Sequence, residues 1–128
     1  MRRKRQRRNP FPLRLRQARE ALGLSQRVLG IAAGIDPSVA SPRINQYERG
    51  KHMPDYLTVA RMGEALNVPP PFFHAADDDL AEAIRLLGRM SPRERRAALK
   101  VLAAEPVRVA RTARRPAAKR PAGSRKRK

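Results

Sequence analysis

From Phe11 to Ala104 the apolar residues fall at helical spacing, in short runs separated by Gly, Pro and Ser. Phe11, Leu15, Ala18 and Leu22 lie three or four apart, which predicts a helix over Phe11–Leu22 that stops at Gly23. Ser25 follows as an N-cap, worth about 1 kcal/mol over alanine. A second helix over Gln26–Ala33 turns Leu29 and Ala33 inward and stops at Gly34. Gly30 falls inside it, where glycine costs about 1 kcal/mol against alanine. Close approach of another helix would offset that cost.

The segment Ile35–Ala40, with Asp36-Pro37, reads as a turn. Ser41 is then expected to cap a third helix over Pro42–Glu48, with proline at the first position, where its missing N–H is harmless. Ile44 and Tyr47 face inward, and Gly50 ends the run. Pro54-Asp55 opens a fourth helix whose expected buried stripe is Tyr56, Val59, Ala60, Met62, Gly63 and Leu66. Val68, Phe73 and a short helical turn near Pro70–His74 close this core. Asp77, Asp78 and Asp79 suit the start of a further helix carrying Leu80, Ile84 and Leu87. Ser91 and Glu94 fit a capping box for a last helix reaching Ala104, with Ala98, Val101 and Leu102 on one face. Such a pair of helices has little core of its own and must pack on the first unit or on a second subunit.

Composition adds a partner to this all-α picture. The 128 residues carry a net charge of +19, concentrated at the two ends. Residues 1–12 hold six basic groups and no acid, and residues 105–128 hold ten basic groups and Glu105, around a nearly balanced middle. The expected organisation is a disordered basic arm at 1–10, a folded domain at 11–76, a helical pair and candidate dimer surface at 77–104, and a disordered basic tail at 105–128. Such tails suit a polyanion, most commonly nucleic acid. The absence of cysteine excludes disulfides and cysteine–zinc sites and fits a cytoplasmic location. No apolar stretch follows the basic start, because Arg14, Arg16 and Arg19 interrupt, so neither export nor membrane insertion is expected.

Two short helices joined by a turn, the second rich in polar residues, have the layout of a helix-turn-helix. Residues 11–74 resemble the Cro/cI-type (XRE, lambda-repressor-like) helix-turn-helix domains. The resemblance rests on Gly23-Leu24-Ser25-Gln26, Leu29, Ala33-Gly34-Ile35, Ile44, Tyr47-Glu48-Arg49-Gly50, Pro54, Ala65-Leu66 and Val68. It implies a five-helix DNA-binding domain, here followed by two further helices. It implies that Gln26 holds a DNA phosphate and braces the base-reading side chains. It implies that Ser41, Pro42, Arg43, Asn45 and Gln46 form the exposed face of the recognition helix, and that Arg49 and Lys51 contact the backbone. Gln46 suits adenine and Arg43 guanine, by bidentate pairing, and Arg43 suits a phosphate equally well. An ion pair between Arg19 and Glu48 is implied as structural. The chain departs from the family in extra residues between Ile35 and Ile44, and in an apolar Ile31 where the family is polar.

These features predict a DNA-binding transcriptional regulator, a repressor, that acts as a homodimer on double-stranded DNA near the nucleoid. No enzyme, cofactor, metal or small-molecule effector is expected. His52 and His74 lack ligand-spaced partners, and Asp77–Asp79 lack the EF-hand spacing. The rival reading is a sequence-tolerant nucleoid-type or RNA-binding protein driven by its tails. A third is an antitoxin that represses its own operon.

Overall fold

Four of the helices in the computed structural model begin where a side chain satisfies free backbone N–H groups. The structure describes residues 8–104. The arm expected at 1–10 is therefore described only from Arg8, and the tail expected at 105–128 lies outside the described residues. The described residues form α1 (Phe11–Ala21), α2 (Gln26–Ala32), α3 (Ala40–Glu48), α4 (Tyr56–Leu66), a 3-10 turn (Pro70–His74), α5 (Asp78–Arg89) and α6 (Pro92–Ala104). Among them there is no strand, as the all-α expectation requires.

The caps follow the sequence signals. Ser25 Oγ accepts from Val28 N at 3.0 Å, Asp55 Oδ1 from Thr58 N at 2.8 Å, and Asp77 Oδ1 from Asp79 N and Leu80 N at 2.8 and 3.1 Å. Ser91 and Glu94 form the reciprocal capping box, with Ser91 N donating to Glu94 Oε1 at 2.8 Å and Glu94 N to Ser91 Oγ at 3.1 Å. Arg95, in the first turn of α6, donates back to the carbonyls of Leu87 and Met90 and closes the end of α5.

Phe11, Leu15, Leu29, Ile44, Met62, Leu66 and Phe73 are the large side chains of the core. They come from α1 to α4 and the 3-10 turn, so α2 and α3 are held from behind while their other side stays free. Phe11 and Phe73 stack tilted, with ring centroids 5.3 Å apart. Ala81 of α5 joins the same core at 2% exposure. This first unit ends at Arg95. Beyond it α6 continues to Ala104 with no buried residue, and Leu99, Val101 and Leu102 are exposed.

Two expectations need correction. The third helix starts at Ala40, not Pro42, so Ser41 is not its cap. The inserted residues form their own closed turn: Ser38 donates from N and Oγ to Asp36 Oδ1, and Val39 N donates to Asp36 O. That turn finishes at Val39, and Ala40 is small enough to start the helix against Gly30 of α2. Pro42 thus sits third in the helix, still among the positions whose N–H has no helical partner. Tyr56 is 84% exposed, because its stripe outruns the core and, among the described residues, no element covers the first turn of α4. Leu80 is exposed and Ala81 takes its inward place. At Gly88, two turns on from Ala81, a Cβ would meet Pro69 Cγ at 2.5 Å, so the small-residue face of α5 packs inward and Leu80 rotates to the edge.

One charged side chain inside this core has a structural task the periodicity does not show. Arg14 is only 3% exposed. It donates from Nε to Ala75 O at 2.8 Å, from Nη2 to Ala76 O at 3.2 Å and from Nη1 to Gln17 Oε1 at 2.9 Å. Its Nη2 also lies 2.9 Å from Asp78 Oδ1. The guanidinium therefore ties the segment between the 3-10 turn and α5 to α1.

Candidate nucleic-acid interface

Three polar residues of α3 set the geometry of the interface. Ser41, Asn45 and Glu48 are spaced four and three apart and so share one face, which meets the start of α2. Gln26 is the first residue of α2, and its side chain reaches all three. Gln26 Nε2 donates to Asn45 Oδ1 at 3.3 Å and to Glu48 Oε1 at 3.2 Å. Ser41 Oγ donates to Gln26 Oε1 at 3.4 Å.

Glu48 anchors this network from the inner side. Its side chain is 5% exposed and takes a bidentate pair of bonds from Arg19 of α1, Nε to Oε2 at 2.6 Å and Nη2 to Oε1 at 3.0 Å. Arg19 Nη1 also donates to Leu24 O at 2.8 Å, in the link between α1 and α2. The bond to Glu48 holds the Arg19 guanidinium above its ordinary pKa, against the opposing effect of burial. One fork-shaped cation thus fixes the end of α3, the entry to α2 and the face of α1 together.

Pro42 and Arg43 point away from this network into solvent, as do Arg49 and Lys51 just beyond α3, and Gln46 is half-buried among them. Lys51 N donates to Gln46 O at 2.9 Å, which folds the chain after Gly50 back beside the helix. A shallow pocket of about 320 Å³ lies here, lined by Arg43, Gln46, Tyr47, His52 and Met53. Gln26, Ser41, Asn45 and Gln46 are each half-buried, so their polar atoms are placed by packing while one edge stays accessible. With Glu48 neutralised by Arg19, the exposed charges of α3 and the turn after it are the cations Arg43, Arg49 and Lys51.

The structure therefore brings Gln26, Ser41, Asn45 and the Arg19–Glu48 pair into one network, and sets Pro42, Arg43, Gln46, Arg49 and Lys51 on the open side of the same helix and its following turn. Sequence reasoning missed two neighbours. Arg27 is exposed one residue past Gln26, and its signal was a cation in the first turn of α2. His52 has no ligand-spaced partner in sequence, and only the turn at Gly50 brings it beside Arg43 and Gln46.

Among the described residues no helix is long and apolar enough to cross a membrane. Residues 13–72 match the model of a helix-turn-helix domain family. No curated protein sequence matches the chain. The crystal structure of the transcriptional regulator BswR is similar to it, with a TM-score of 0.67 and 33% sequence identity over 73% of this chain and 92% of that one.

Proposed function

The chain belongs to the helix-turn-helix family, and on that premise we propose that it is a DNA-binding transcription regulator that reads the major groove with α3. The observation that carries this reading is the network of Gln26, Ser41, Asn45 and Glu48 beside the open cationic face of α3. A helix held by part-buried bonds, with polar and cationic residues free on its outer side, suits base edges and phosphates together. Gln46 and Arg43 are assigned to base edges. Arg49 and Lys51 are assigned to phosphates, and Ser41 and Pro42 to the close approach of the helix N-terminus. Gln26 braces the reading side chains.

The finer reading is a homodimeric repressor working at the nucleoid, in the cytoplasm. Two copies of α3 a helical turn apart would read a two-fold symmetric site. The exposed apolar residues Leu99, Val101 and Leu102 of α6 support a contact between copies within the helices at 79–104. The basic ends of the sequence support a sequence-tolerant contribution to affinity from the same DNA.

Unbiased selection of bound DNA at several salt concentrations tests the reading. A regulator yields one motif with symmetric half-sites and keeps it in excess random DNA. A flat base distribution, with binding that vanishes as salt rises, would assign the protein to sequence-tolerant packaging instead.

A further inference from the structure

Hydrogen-bond polarity runs through the α2–α3 network in one direction, starting from Glu48. An ionised carboxylate can only accept, so the group of Gln26 that faces Glu48 Oε1 has to be the amide NH2. That NH2 carries two hydrogens. One goes to Glu48 at 3.2 Å and the other to Asn45 at 3.3 Å. The Asn45 group facing Gln26 is therefore the carbonyl, since two NH2 groups cannot satisfy each other. The Asn45 NH2 is left on the accessible side. The remaining Gln26 atom, Oε1, accepts the Ser41 hydroxyl hydrogen at 3.4 Å, which leaves the lone pairs of Ser41 Oγ facing out.

We infer that Glu48, without touching DNA, sets the base preference of the recognition helix by fixing Asn45 as an outward donor and Ser41 as an outward acceptor. This rests on the reading of α3 as the major-groove helix. Glu48 is suited to the task because its side chain is 5% exposed and is pinned by two bonds from Arg19. It is a positioning residue, and Arg19 positions it in turn.

The consequence for recognition is specific. Bidentate reading of adenine by asparagine needs a donor for N7 and an acceptor for N6 on the same amide edge. Asn45 has its carbonyl turned toward Gln26, so the group it presents outward is the NH2 donor. It therefore selects acceptor edges: purine N7, guanine O6 or thymine O4, and disfavours cytosine, which presents the N4 donor. Gln26, with both amide hydrogens used inside the protein, serves as the brace. Bidentate reading of adenine falls to Gln46, whose side chain lies outside this network on the open side of α3.

The test is sequence selection with the full chain and three variants, with circular dichroism to follow folding. Asn45→Ala locates the base position that Asn45 faces, as the one where preference is lost. At that position the parent protein should disfavour cytosine by roughly three- to tenfold, the worth of one net hydrogen bond. Glu48→Gln replaces an obligate acceptor by an amide that can present either group. It should flatten preference at that position and leave the position read by Gln46 sharp. Asn45→Asp keeps an acceptor toward Gln26 but turns an acceptor outward, and should move the preference to cytosine.

A Glu48→Gln protein that binds every sequence more weakly with an unchanged motif would overturn the inference, because a purely structural role predicts that result. If Glu48→Gln does not fold, Asn45→Asp decides alone: preference moved to cytosine supports the inference, and an unmoved preference overturns it. A sharp parental motif that Asn45→Ala leaves intact sinks the role of Asn45 but keeps the regulator reading. A flat distribution for the parent protein overturns both.

Discussion

Gly30 of α2 and Ala40 of α3 touch so closely that a Cβ built on Gly30 would stand 2.7 Å from Ala40 Cβ and 3.0 Å from its Cα and carbonyl oxygen. This contact sets the distance between the two helices of the motif, and it lies one turn beyond the Gln26 network. Replacing an interior helical glycine by alanine ordinarily stabilises a helix by about 1 kcal/mol. Here the added methyl meets backbone, which cannot swing away as a flexible side chain can. Gly30→Ala is expected to destabilise the protein by about 1–3 kcal/mol, the usual cost of overpacking. Chemical denaturation checks the sign, and a gain in stability would show that the helices separate at no cost.

Arg14 gives a second test, because its partners differ in burial. Arg14→Met removes the donor to the carbonyls of Ala75 and Ala76 and should cost about 2–4 kcal/mol. The Asp78 side chain is 87% exposed, so Asp78→Asn should cost under about 1 kcal/mol. Denaturant midpoints for the two variants measure both. Equal losses would mean that the ion pair, not the carbonyl clamp, holds this corner.

Stability should fall in acid. Hydrogen bonding from Thr58, side chain first and backbone N–H second, holds the Asp55 carboxyl below its usual value. At Glu94 the bond from the Ser91 backbone N–H acts first, with the Ser91 side chain second, in the same direction. A carboxyl depressed in the folded state binds its proton more readily when unfolded. Its stabilisation is present above the unfolded pKa, near 4, and is lost as pH falls through the folded pKa. Melting temperature against pH should therefore decline below about pH 4, and Asp55→Asn should flatten part of that decline, since asparagine also caps but does not titrate.

On the proposed DNA face, Gln46→Ala should cost on the order of 1–3 kcal/mol at one base position and change preference there. Lys51→Ala should weaken binding to all sequences alike and reduce the log–log salt slope by about 0.9. Titrations on the selected site and on single-base variants separate the two. An equal loss on every sequence for Gln46→Ala would move that residue to the phosphate backbone.

The ten basic groups of residues 105–128 predict a larger effect of the same kind. A chain ending at Val107 should show a flatter salt dependence, by roughly 0.9 for each phosphate it no longer neutralises. An unchanged slope would mean that this segment leaves the phosphates alone. Sedimentation of a chain ending at Arg95 tests whether α6 joins two copies, and an unchanged association state would remove α6 from the dimer.

Local sequence was enough to place the helices, apart from the start and cap of α3, and to show the family, because these depend on neighbours a few residues apart. Ser25 and the pair Ser91–Glu94 cap in the structure where their local pattern placed them, and Asp55 and Asp77, read as helix openings, cap as well. Gly30 signalled a close approach before its partner was known. Which distant neighbours meet was settled only by the packed fold. Helical periodicity marks a stripe but not how far another element covers it, so Tyr56 reads as core and stands exposed. Arg14, which the periodicity does not mark as core, is buried because carbonyls distant in sequence fold over it. The start of α3 depended on the side chain of Asp36 closing the inserted turn and on the space beside Gly30. The direction of the hydrogen bonds from Arg19 through Glu48 and Gln26 to Asn45 involves three helices at once, and no spacing along one chain segment encodes it.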